Sequence, residues 1–130
     1  MIHETRIIPL DGRPHAGAGI RMYMGDSRGR FEDDTLVVET TNFTDRTAIG
    51  PNGGGAIHSE ALRLVERFTR VDADTLHYEF TVDDPAIYVK PWTVALDLAT
   101  TPNYQMYEYA CHEGNYGLAN MLSAARAEER

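Results

Sequence analysis

The chain has 130 residues, twelve of them basic and twenty acidic, which gives a formal charge of −8. That length suits a single domain, residues 1–130, able to bury roughly two-thirds of its unfolded surface. The acidic surface repels phosphates and anionic lipid heads, which argues against nucleic acid and membrane surfaces as partners.

In chain order, MIHETRIIPL carries charge at once and has no apolar core of signal-peptide length, so the chain as written is expected to be cytoplasmic. No apolar run reaches the ~20 residues that cross a bilayer. Thr5 to Leu10 is expected as a first strand, and Asp11 to Gly19, rich in Gly and Pro, as a loop. Phe31 and its neighbours lead into a turn.

An internal echo then organises the middle of the chain. EDDTLVVETT (Glu32 to Thr41) recurs forty residues on as DADTLHYEFT (Asp72 to Thr81). Each copy opens on acidic turn residues and runs into β-branched or aromatic ones, which is hairpin chemistry. Between the copies, Asn42 to His58 contains GPNGGG, a long connection that is either a slack surface loop or a functional one. No Lys-Ser or Lys-Thr follows it, so it is not a phosphate loop. Asn42-Phe43-Thr44 fits the glycosylation pattern, which means little without a secretion signal.

Leu62 to Val71 is the next expected strand, and it carries Glu66 in step with Leu62, Leu64 and Phe68. An unbulged strand aims Glu66 inward, where a buried carboxylate needs a partner; a bulge near Val65 would turn it to solvent. Leu76, Tyr78, Phe80 and Val82 alternate with His77, Glu79, Thr81 and Asp83, which marks one buried and one wet face. Trp92, Val94, Leu96 and Leu98 share a face after Lys90-Pro91. Tyr104 to Cys111 is the last expected strand, strands running to about residue 112. Leu118, Met121, Leu122 and Ala125 then fall on one side of a helix expected over about 115–127 and capped near Asn115.

Few residues look like chemistry. One cysteine excludes an internal disulfide and Cys-rich zinc sites. Cys111 and His112 are adjacent, but on a strand their side chains point to opposite faces, so core packing with Tyr107 and Tyr109 is favoured over a nucleophile–base pair. His112 shares a face with Glu108, about 13 Å away along a strand. His112 with Glu108, Glu113 or Glu66 is nevertheless the acid–base set an enzyme would use. His3, His15, His58, His77 and His112 are scattered, and His112-Glu113 lacks the second histidine of a zinc helix, so no metal and no cofactor is expected. Tyr78, Phe80, Trp92, Tyr107 and Tyr109 supply either a core or the wall of a ligand cavity, with Glu66 and His112 as polar groups.

MGDSRGRFEDDTLVVETTNFTDRT, ERFTRVDADTLHYEFTVDDPAIYVKPWTV and YEYACHEGNYGLANMLSAARAEE together resemble the C-terminal part of a family of uncharacterised bacterial proteins. The resemblance runs from IHETRIIPLDGRPH onward and so covers nearly the whole chain. It implies no assigned activity. It implies relatives that are longer, often with a secretion signal and further strand-like sequence upstream. A strand missing relative to them would leave an edge open, from which a homodimer or larger homo-oligomer is expected.

The expected fold is all-β, an antiparallel meander or lipocalin-like barrel with a C-terminal helix. The expected function is binding of a small apolar or amphipathic ligand. An acid–base enzyme and an oligomerisation domain without a site are the alternatives.

Overall fold

The computed structural model describes residues 5–50, 55–105 and 116–128. Among the described residues seven strands form: β1 (Asp26–Glu32), β2 (Thr35–Thr41), β3 (Ala48–Ile49), β4 (Ala56–Ile57), β5 (Arg63–Arg70), β6 (Thr75–Asp83) and β7 (Trp92–Ala99). They are followed by a helix, α1 (Gly117–Glu128). Five strands make one antiparallel sheet in the order β1-β2-β5-β6-β7, and β3 pairs with β4 in a small separate hairpin. The chain divides into two units, Arg6–Thr101 and the chain ends from Pro102 onward with Met1–Thr5.

Both copies of the repeat make hairpins, with β2 and β6 starting at Thr35 and Thr75. Their turns differ. Asp33 and Asp34 close the first, with Asp33 left-handed at φ 51°, a conformation that a short acidic side chain tolerates. The second turn is longer, and Asp72 Oδ1 accepts the Asp74 N–H at 2.8 Å, the local bond that makes Asp a turn residue.

Register then sorts side chains by parity. Val38 opposes Glu66, Glu66 opposes Phe80, and Phe80 opposes Val94. Leu64, Glu66, Phe68, Tyr78, Phe80, Val82, Trp92, Val94, Leu96 and Leu98 therefore share one face. The other carries Arg63, Arg67, His77, Glu79, Asp83 and Asp97, and there His77 Nδ1 lies 2.6 Å from Asp97 Oδ1. The ladder through Glu66 is unbroken, so no bulge turns that carboxylate outward.

The core sits at one end of the apolar face. Phe43, Leu62 and Val82 are buried together, with Ile49, Leu64, Phe80, Tyr88 and Trp92 packed against them. Phe43 joins this cluster because Asn42, left-handed at φ 61°, interrupts the period of two at the end of β2. Of the described part of the connection from Asn42 to His58, Asn42, Phe43 and His58 are buried rather than lying slack on the surface.

One expected strand is not formed. Thr5 to Leu10 is not a strand. Pro9 has no N–H to give a ladder, and the backbone of the segment meets the sheet through the Gly29 N–H, which donates to the Pro9 carbonyl at 2.9 Å. Gly29 makes the approach possible, since a Cβ there would meet Ile8 and Leu10 side chains at 2.8 and 2.5 Å. Among the described residues the sheet is also open, with β1 and β7 as its two ends. What the described residues form is the coarser expectation, a largely antiparallel β chain ending in a helix. That helix starts at Gly117, later than expected, and none of its residues is buried. Of the expected strand from Tyr104 to Cys111, Tyr104 and Gln105 are not in a strand, and the rest lies outside the described residues.

Candidate functional site

Glu66 is the polar residue that strand parity places in the apolar face, and it is 4% exposed. A carboxylate there requires strong partners, and it has three bonds. Arg6 Nη1 donates to Oε2 at 2.6 Å and Nη2 to Oε1 at 3.0 Å, while the Tyr78 hydroxyl donates to Oε1 at 2.8 Å. The fork of the guanidinium matches the carboxylate plane, which makes this pair both strong and directional. Burial raises the Tyr78 pKa well above the ordinary phenol range, and the hydrogen bond to Glu66 and its negative charge raise it further. The phenol therefore stays a donor throughout the physiological range.

Tyr78 is also the centre of an aromatic row. Phe68 stacks on it with centroids 4.7 Å apart, Phe80 follows at 5.7 Å, and Trp92 meets Phe80 edge-on at 6.0 Å. Tyr88 meets Trp92 edge-on in turn. The four rings Phe68, Tyr78, Phe80 and Trp92 are all half-buried, in the offset and edge-to-face geometries that ring quadrupoles favour.

Beside this row lies a cavity of about 270 Å³. Its outer wall is the β3–β4 hairpin and its flanks, with Phe43, Thr47, Ala48, Ile49 and His58. Leu62 and Leu64 form the floor, and Arg6, Tyr23 and Met24 close the remaining side. Most of this lining is apolar. Arg6 thus both holds Glu66 and lines the cavity.

The polar end of the cavity is the pair Thr47 and His58. Thr47 Oγ1 lies 2.8 Å from His58 Nε2, and His58 Nδ1 lies 3.1 Å from the Ser59 carbonyl oxygen. A carbonyl only accepts, which assigns the proton of the neutral ring to Nδ1 and leaves Nε2 to accept from the threonine hydroxyl. Phe43 packs edge-on against the imidazole at 5.6 Å.

Behind this pair, Asp84 anchors the chain. Its carboxylate accepts from the Ser59 N–H at 2.6 Å, the Ser59 hydroxyl at 2.8 Å and the Ala86 N–H at 3.1 Å. Burial alone would raise its pKa, but those bonds and the nearby His58 outweigh it and hold it below the usual carboxylate value. The Tyr88 hydroxyl donates to the Ile57 carbonyl at 2.8 Å, a second tie between the hairpin and the turn after β6.

Of the side chains singled out in the sequence, Glu66, Tyr78, Phe80 and Trp92 lie together on the apolar face next to the cavity. None of these four lines it; Glu66 reaches it through Arg6. Tyr107, Glu108, Tyr109, His112 and Glu113 lie outside the described residues. Arg6, Thr47 and His58 were not singled out as site residues. No local pattern marks Arg6, sixty positions from its partner, and the length of the connection carrying Thr47 and His58 was the one available sign. Asn42 is no glycan acceptor in this fold: its Nδ2 is buried and faces the carbonyls of Ala16, Gly17 and Ile20.

Among the described residues, no group of three or more His, Cys, Asp or Glu could hold a metal ion, and no helix is long and apolar enough to cross a membrane. No protein-family model matches the chain, and no curated protein and no solved structure matches it at a significant level.

Proposed function

We propose that the chain is a binding module for a small apolar or amphipathic molecule, held in the cavity beneath the β3–β4 hairpin. The observation that carries this is the pattern of the lining, apolar side chains with polar groups converging at two points, Arg6 and Thr47–His58. That division of labour is what small-molecule sites use, apolar burial for affinity and a few fixed polar groups for orientation. An engineered apolar cavity of roughly 150 Å³ holds benzene, so about 270 Å³ holds roughly ten non-hydrogen atoms. Closure of the aromatic face into a lipocalin-like barrel belongs to the same proposal, since it would turn Tyr78, Phe80 and Trp92 into an inner wall.

The test is a thermal-shift screen with small amphipathic molecules on the intact chain and on Ala48→Trp, whose indole fills the cavity. A ligand at a hundredfold its Kd adds about 2.7 kcal/mol, or on the order of 10 °C in Tm. We expect shifts in the wild type and none in a folded Ala48→Trp. Equal shifts in both proteins, or none in either, would sink the proposal.

A homodimer is proposed as well, on a separate observation. Val94, Leu96 and Leu98 of β7 are 36%, 39% and 43% exposed on the apolar face, a contiguous strip that a second copy would cover.

A further inference from the structure

Two features of the cavity define the class of molecule it takes, given that it is a binding site at all. The first is charge. Arg6 is the cation in the lining, and its charge is already matched by Glu66 through two hydrogen bonds at 2.6 and 3.0 Å. Glu66 is in turn fully engaged by Arg6 and Tyr78. A carboxylate ligand would have to compete with a buried bidentate partner for that guanidinium, and Asp84 lies behind the other polar end with its own negative charge. Both ends therefore disfavour an anion that must give up its water to enter.

The second feature is hydrogen-bond polarity. In a neutral ring the Ser59 carbonyl selects the Nδ1–H tautomer of His58, so that the Thr47 hydroxyl donates its proton to Nε2. What Thr47 has left is lone pairs, and it can only accept from a ligand.

We infer that the ligand is a neutral amphipathic molecule of roughly ten non-hydrogen atoms whose polar end donates a hydrogen bond, an aliphatic alcohol or a phenol in class, with its hydroxyl on Thr47 and its hydrocarbon against Ile49, Leu62 and Leu64. A site built to receive a donor rejects the matched molecule that lacks one, because the acceptor is then buried unpaired.

The experiment compares octan-1-ol, octan-2-one and octanoate by calorimetric titration of the full chain at neutral pH. Three variants accompany the wild type: Thr47→Val, which keeps the shape and loses the hydroxyl, Thr47→Ser, which keeps the hydroxyl, and the filled Ala48→Trp. The alcohol is expected to bind roughly tenfold tighter than the ketone and tighter still than octanoate. Thr47→Val brings alcohol and ketone to within about twofold of each other, while Thr47→Ser keeps the preference. If the ketone equals the alcohol in the wild type, Thr47 does not read a donor and the inference falls. If octanoate binds as well as the alcohol, the Arg6 charge is available and the inference falls on its other limb. In both cases binding that Ala48→Trp abolishes leaves the module reading standing. If none of the three binds, the module reading fails and takes this inference with it. Should Thr47→Val lose its fold, the Thr47→Ser and wild-type rankings decide alone.

Discussion

Asp84 shows how one buried side chain makes stability depend on pH. It is 1% exposed and receives three hydrogen bonds, from two donors on Ser59 and the Ala86 N–H. Its pKa lies below the ordinary 3.8 in the folded protein, so the folded state releases this proton more readily than the unfolded chain does. The stabilisation is complete above the unfolded value and is lost as pH falls through the folded one. In Asp84→Asn an N–H₂ replaces one acceptor against Ser59. We expect a loss of about 2–3 kcal/mol at pH 7 by urea titration, with the gap to wild type closing as pH falls below the ordinary 3.8 and through the lowered folded value. A gap that persists unchanged through that fall would show that the carboxylate charge is not what matters.

Among the elements, the two connections rather than the strands decide where the cavity lies. Asn42 ends β2 in a left-handed conformation, and its Nδ2 faces the carbonyls of Ala16, Gly17 and Ile20 at 3.3, 3.1 and 2.9 Å. One amide thereby pins the 16–20 segment and sends Phe43 into the core. Nearby Gly25, at φ 65°, leaves no room for a side chain, since a Cβ would sit 2.7 Å from both Thr40 Cγ2 and the Thr41 carbonyl. Asn42→Ala loses the bonds and keeps the strained backbone. It should cost about 2–4 kcal/mol, measured by chemical denaturation, and hydrogen exchange should quicken around residues 20–25 before it quickens in β5 and β6. Uniform acceleration across the sheet would mean that Asn42 acts only on global stability.

For the whole molecule, the governing fact is that the sheet has two unlike faces. One is a charged lattice, with Arg63 bonded to Glu39 and Arg67 to Glu32; such exposed pairs contribute little each. The other face is apolar and only partly covered, with Leu96 and Leu98 exposed on β7. If a second copy covers it, light scattering at micromolar concentration should give a dimer, and Leu96→Glu should return a folded monomer. A monomer in the wild type at those concentrations overturns that reading.

Strand parity is a local property, and it was legible in the residues themselves. Leu76, Tyr78, Phe80 and Val82 share a face, His77 faces water, and the repeat makes two hairpins, because alternation along a strand follows from backbone geometry alone; the inward turn of Glu66 rests instead on the unbroken ladder, since the residues left a bulge open. What covers that layer is not local. The Arg6 guanidinium reaches Glu66 from sixty residues away, Asn42 reverses the parity of Phe43, and the β3–β4 hairpin brings Thr47 to His58. Each of these depends on how loops without a repeating pattern cross the sheet. Sequence periodicity thus determined β2, β5, β6 and β7 and their two faces, and only the tertiary structure decided where a cavity lies and which side chains line it.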